Sequence, residues 1–202
     1  DVSPLGMTVT PEGESILGEL ESYIKMLRGL TMLEKLLAEG LRLQKVVIIP
    51  GDSDQDATAR RELGRAAAGV LAEHLGNNMV IAVSGGSTMA QVAATVSGHY
   101  PGITIVPARG GLGELVEYQA NTIAADMARR LGGRYHLLHI PDGISEEALE
   151  VLLASDSRLG KVIEMVKHAD VLVHGIGKAA AMAQRRGMDP AVVASIIKQG
   201  AV

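Results

Sequence analysis

The chain has 202 residues, enough for one α/β domain with a proper core and a small appendage. A formal net charge of −4 leaves no electrostatic footprint for nucleic acid or an anionic membrane, and the lack of cysteine excludes disulfides, thiolate chemistry and cysteine-ligated zinc. Phe and Trp are absent, so the 47% hydrophobic content must build its core from Val, Ile, Leu, Ala and nine Met. No signal peptide or membrane-spanning run is legible, and a cytoplasmic location is the default expectation.

Residues 1–10 alternate apolar and polar positions. Thr10-Pro11-Glu12 then opens a helix, with Thr10 as N-cap and Pro11 in the first turn. Along it Ile16, Leu20, Tyr23, Leu27 and Leu30 recur at spacings of four, three, four and three, a short heptad seam. Thr31-x-x-Glu34 reads as a capping box that restarts a helix carrying Leu33, Leu36, Leu37 and Leu41. Two readings of the seam stand side by side: a helix packed on its own domain, or a dimerising linker.

From Lys45 the pattern alternates strand and helix. Val46-Val47-Ile48-Ile49 reads as a buried strand ended by Pro50-Gly51. Asp52-Ser53-Asp54-Gln55-Asp56 has the acids of a cation loop but too few ligands for calcium, and helix capping explains it better. A helix follows over 57–75. Val80–Val83 is an unbroken apolar run, as a strand buried on both faces requires, and it leads into Ser84-Gly85-Gly86-Ser87-Thr88 and a helix through Met89, Val92 and Val96. Two glycines allow a tight turn, and Ser87 and Thr88 sit where the helix starts, beside unpaired N–H donors and the positive end of the helix dipole. Such a strand, turn and helix start suits phosphate, although Ser87 acting as a mere cap is the plainer alternative.

The third strand covers 103–106, followed by Pro107-Ala108-Arg109-Gly110-Gly111-Leu112-Gly113-Glu114 and a helix over 119–131. A strand over 135–140, helices over 146–153 and 159–168, and a fifth strand over 171–173 complete the pattern. His174-Gly175-Ile176-Gly177-Lys178 then leads to a helix ending in Arg185-Arg186-Gly187, and Asp189-Pro190 starts another. Five buried strands alternating with helices predict an α/β fold with a doubly wound, mostly parallel, Rossmann-like sheet. Three glycine-rich loops fall on its carboxyl edge, where such sheets bind ligands. The dinucleotide spacing GxGxxG is missing, and Gly177-Lys178 lacks the rest of a P-loop. His136 and His139 point to opposite faces of a strand and make no metal site. What is left is a small, phosphate-bearing ligand held by backbone amides, hydroxyls and arginines.

The motifs SGGSTM (84–89), PARGGLGE (107–114), QANTIAADMA (119–128) and VHGIGKA (173–179) resemble those of the SorC-type sugar-responsive bacterial regulators. PGDSDQD (50–56) and MAQRRG (182–187) narrow the resemblance to a branch that represses glycolytic genes. It covers nearly the whole chain. It implies an effector-binding domain over 45–202, similar in fold to phosphosugar isomerases and deaminases, that senses a sugar without converting it. It implies no catalytic residue, no metal and no cofactor. Residues 1–44 would be the end of a DNA-binding region plus linker helices, and the family's effector domain would continue past Val202. The implied effector is a sugar phosphate such as fructose 1,6-bisphosphate, which weakens operator binding in that branch. A homodimer or tetramer is implied, with DNA reached only through a winged-helix domain N-terminal to this chain.

Carried over by motif, Gly85, Gly86, Ser87 and Thr88 would cradle one phosphate. Arg109, Gly110, Gly111 and Gln119 would line the sugar side, and Gly175, Gly177, Lys178 and Arg186 would face the pocket from the last loop and helix. Arg186 is the candidate clamp for a second phosphate, since a guanidinium binds phosphate oxygens in pairs. The alternative is an active phosphosugar isomerase or deaminase, for which Glu114, Asp142 and His174 are the loop candidates as acid or base.

Overall fold

The computed structural model describes residues 2–3, 6–7, 9–27, 29–111, 115–141, 144–185 and 188–200, in two compact units, 1–50 and 51–202. The first unit opens with the two-residue strands β1 (Val2–Ser3) and β2 (Gly6–Met7), paired antiparallel, then α1 (Pro11–Leu27) and α2 (Leu30–Leu41). Thr10 caps α1 as expected, its hydroxyl oxygen accepting from the Gly13 amide at 3.1 Å. The expected capping box at Thr31 does not form. The helix starts two residues earlier, with Gly29 as N-cap at φ of 67° and no side-chain cap, and Thr31 lies inside it. Glu34 turns instead to the segment after α2, where its Oε1 accepts from the Ile48 amide at 2.8 Å. The expected strand Val46–Ile49 is likewise absent. These residues are half-buried and belong to no ladder, and the Ile48 donor that a strand partner would take is held by Glu34.

The second unit runs α3 (Ala57–Ala72), β3 (Val80–Val83), α4 (Ser87–Thr95), β4 (Thr104–Pro107), a 3₁₀ turn (Val116–Tyr118), α5 (Ala120–Leu131), β5 (Arg134–Tyr135), α6 (Glu146–Ser155), α7 (Ser157–Lys167), β6 (Val171–Val173), α8 (Ala179–Arg185) and α9 (Pro190–Lys198). The strands form one parallel sheet in the order β5-β4-β3-β6, four strands rather than five. Both faces are covered. Ile81, Val83 and Ile105 pack on one face with Met89 and Val92 of α4 and with Ile123, Met127 and Leu131 of α5. Ala82, Thr104 and Val106 are the alternate positions and are equally buried. The buried residues of α5, Ala120, Ile123, Ala124, Met127, Ala128 and Leu131, keep the spacing of one helix face.

The fourth strand stops earlier than the expected 135–140, and proline explains why. Thr104 and Ala108 donate their amides to Met79 and Val83 on the β3 side, while the β5 amides of Arg134 and His136 reach Ile103 and Ile105. Residue 107 therefore faces β5, and Pro107 has no N–H to continue that ladder. The chain beyond is held by a side chain instead. Asn121 of α5 accepts from the Leu138 amide at 2.9 Å and donates to the Leu138 carbonyl at 3.1 Å, as a neighbouring strand would.

Glycine sets how closely α3 meets α4. A Cβ at Gly64 would lie 2.9 Å from the Gln91 carbonyl carbon, whereas one at Gly69, on the same helix, would meet nothing within 4 Å. Gly64→Ala is therefore expected to destabilise the fold by about 1–3 kcal/mol through overpacking. Gly69→Ala is expected to stabilise it by about 0.5–1 kcal/mol through helix propensity. Urea unfolding of the two variants should move in opposite directions.

Candidate functional site

Read from its edge, the sheet order places β3 with β4 and β5 on one side and β6 on the other, so the chain reverses direction of winding between β3 and β6. That crevice at the carboxyl ends is where open α/β sheets take their ligands. Ser84 closes the base of it. Its amide donates to the Val173 carbonyl at 3.0 Å, and its hydroxyl oxygen accepts from the Gly175 amide at 3.3 Å. The loops after β3 and β6 are thus tied together through one serine, a role that the SGGSTM motif alone did not disclose.

Gly85 and Gly86 are both required. A Cβ at Gly85 would stand 2.6 Å from the Tyr118 carbonyl oxygen, because the turn runs directly against the backbone before α5. Gly86 has φ of 124°, a conformation open to glycine, and its amide donates to the same Tyr118 oxygen at 2.8 Å. Gly86, not Ser87, is the N-cap of α4, and no side chain caps that helix. Ser87 and Thr88 are its first two helical residues, half-buried, with hydroxyls not used as caps. The first-turn amides of α4 point outward with the positive end of the helix dipole, which favours an anion.

The loop after β4 joins this edge. Arg109 follows Ala108, whose amide is bound to Val83 of β3, and both Arg109 and Gln119 are half-buried. Gly110 packs on the Ile140 carbonyl, and the Gly111 amide donates to it at 2.9 Å. The Gln119 carboxamide oxygen lies 4.0 Å from where a Gly111 Cβ would be, so the two expected sugar-side residues are neighbours. Gln119 also precedes α5 directly after Tyr118, the contact of Gly85 and Gly86.

The last loop is the most open part. Gly175, Ile176, Gly177 and Lys178 are exposed, and Gly177 lies against Met182 of α8. Lys178 reaches out to Asp54, with Nζ 3.2 Å from Oδ2. Arg186, Glu114 and Asp142 lie outside the described residues. His174 is exposed, with Nδ1 3.4 Å from the Gly175 carbonyl oxygen. Asp56 caps α3 as the sequence suggested, accepting from the Thr58 amide at 2.7 Å. Among the described residues no group of three or more His, Asp or Glu side chains gathers as a metal site, and no helix is long and apolar enough to cross a membrane.

A separate open groove of about 510 Å³ lies at the opposite part of the sheet, lined by Thr104, Gly133, Arg134, Tyr135, His136 and Met165. It shares no residue with the three glycine loops.

The close approach at Gly85 makes a direct test. Gly85→Ala is expected to lose about 1–3 kcal/mol of stability, because backbone on both sides must move. Gly175→Ala, where a Cβ meets nothing within 4 Å, is expected to change stability little in the same denaturation experiment.

Comparison with known proteins agrees with this architecture. The family described as "Putative sugar-binding domain" matches residues 25–202. The chain is 44% identical over 189 residues to the central glycolytic genes regulator of Priestia megaterium, and 43% identical over 188 residues to that of Bacillus subtilis. Each alignment takes in 92% of this chain and 55% of the relative, so the chain spans about half the length of these curated relatives. Among solved structures, "the putative SorC family transcriptional regulator from Enterococcus faecalis" superposes with a TM-score of 0.73 at 35% identity, covering 85% of this chain and 70% of that one. The chain belongs to the sugar-binding domain family of SorC-type transcriptional regulators.

Proposed function

We propose that this chain is the effector-sensing part of a cytoplasmic repressor of glycolytic genes. Its ligand is a sugar phosphate, with fructose 1,6-bisphosphate the leading candidate, whose binding weakens operator binding by a separate DNA-binding domain. The reading rests on the crevice between β3 and β6, where a glycine turn, the start of α4 and an exposed glycine loop converge around Ser84. Backbone amides and hydroxyls there suit phosphate oxygens. Gly85, Gly86, Ser87 and Thr88 form the first phosphate cradle, with the Gly86 amide serving the turn rather than the ligand. Arg109, Gly110, Gly111 and Gln119 line the sugar side, and Gly175, Gly177, Lys178 and Arg186 complete the rim. Names of two relatives support the glycolytic assignment.

The cradle is tested at Thr88, which is half-buried at the second position of α4. Thr88→Val keeps the shape and removes the hydroxyl, a charge-assisted hydrogen bond worth about 1.5–3 kcal/mol. Affinity for fructose 1,6-bisphosphate should fall by at least about tenfold in calorimetry, with the unfolding midpoint nearly unchanged. Undiminished affinity contradicts the cradle.

Self-association is proposed through α1. Its seam residues Ile16, Leu20, Tyr23 and Leu27 are 57%, 50%, 55% and 67% exposed, an apolar stripe at coiled-coil spacing. A second copy of the same stripe is the occupant. Replacing Leu20 and Leu27 by Glu is expected to leave the fold intact and convert the oligomer to monomer in light scattering. An unchanged mass would place the contact elsewhere.

A further inference from the structure

Asp54 is the one acid of the 52–56 loop whose carboxylate reaches the candidate site rather than a helix cap. Its loop is fixed independently of that contact. The Asp54 amide donates to Asp52 Oδ1 at 2.9 Å, and the Gln55 and Asp56 amides donate to the Asp52 carbonyl at 3.1 and 2.7 Å. Arg60 of α3 donates to the Ser53 carbonyl at 2.8 Å and to the Asp54 carbonyl at 3.1 Å. The backbone that presents Asp54 is therefore held by five hydrogen bonds, none of them made by Lys178. At the other end Lys178 closes the loop that begins at Gly175, whose amide is bound to Ser84 in the crevice. The pair itself is open to water, with Asp54 69% and Lys178 78% exposed, so it is weak and exchangeable.

We propose that Asp54 is a positioning residue of the phosphosugar site, a fixed counter-charge that holds Lys178 and competes for it with the phosphate of an incoming ligand. This rests on the assignment of the crevice as a phosphosugar site. An ammonium has no fixed bonding direction and exchanges one oxygen partner for another by rotating its stem. A phosphate at the crevice rim must outcompete the Asp54 carboxylate for Lys178, so the pair lowers the affinity of each ligand that recruits Lys178. Because the loop is locked by its own hydrogen bonds, losing the pair does not unfold it.

The test is calorimetry of the chain with fructose 1,6-bisphosphate and fructose 6-phosphate. Asp54→Asn is near-isosteric on an exposed side chain and removes the charge. It should tighten both ligands by up to about fivefold at low salt, an effect that fades as salt screens the charges. Lys178→Met should weaken the bisphosphate, and adding Asp54→Asn to it should produce no further tightening, because Asp54 acts through Lys178. The proposal is overturned if Asp54→Asn leaves affinity unchanged or weakens it, or if it tightens binding equally with and without Lys178. The underlying site fails separately: a Thr88→Val chain that binds as the wild type overturns the crevice assignment, whatever Asp54 does. A wild-type chain that binds neither ligand overturns both.

Discussion

Where β3 ends, backbone runs against backbone with no side chain between. The Tyr118 carbonyl accepts from the Gly86 amide and lies so near Gly85 that one methyl group would part the two segments. This contact brings the starts of α4 and α5 to the same edge of the sheet. From there Ser84 reaches the opposite way, to Val173 and Gly175 after β6. Two loops from distant parts of the sequence are thereby held by hydrogen bonds to one short turn. β3 and β4 beneath it are buried on both faces, so the turn rests on a rigid platform.

The same turn explains which parts of the molecule were legible in the sequence. β3 and β4 are buried apolar runs and β6 an apolar run with Leu172 exposed, all ended by glycine or proline, and periodicity finds such strands readily. Val46–Ile49 carries the same signal and forms no ladder, because an apolar run records burial and not hydrogen-bond partners. What redirected it was the Glu34 carboxylate, fourteen residues away. Residues 136–140 were extended on paper by their apolar positions, yet Pro107 on the neighbouring strand removes the donor they needed. Asn121 instead holds Leu138 by its amide and carbonyl, and nothing local to Asn121 announces that role.

The site divides in the same manner. Glycines at 85, 86 and 110 could be picked out because close approach and unusual backbone leave a compositional trace. The hydroxyls of Ser87 and Thr88 were placed near the helix start, but which residue caps it depends on a backbone angle at Gly86 that sequence does not carry. Ser84 and Asp54 act through contacts 91 and 124 positions apart in the chain, with Gly175 and Lys178, and only folding brings those partners together.

The most direct measurement of the central claim is a set of backbone amide NMR spectra recorded while fructose 1,6-bisphosphate is titrated into the chain. If the crevice between β3 and β6 holds the phosphate, the largest shifts fall on Ser87, Thr88 and Met89 in the first turn of α4 and on the loop from Gly175 to Lys178. Shifts centred on Arg134, Tyr135 and His136, in the separate groove at the far strand, would contradict it, as would spectra unchanged at saturating ligand.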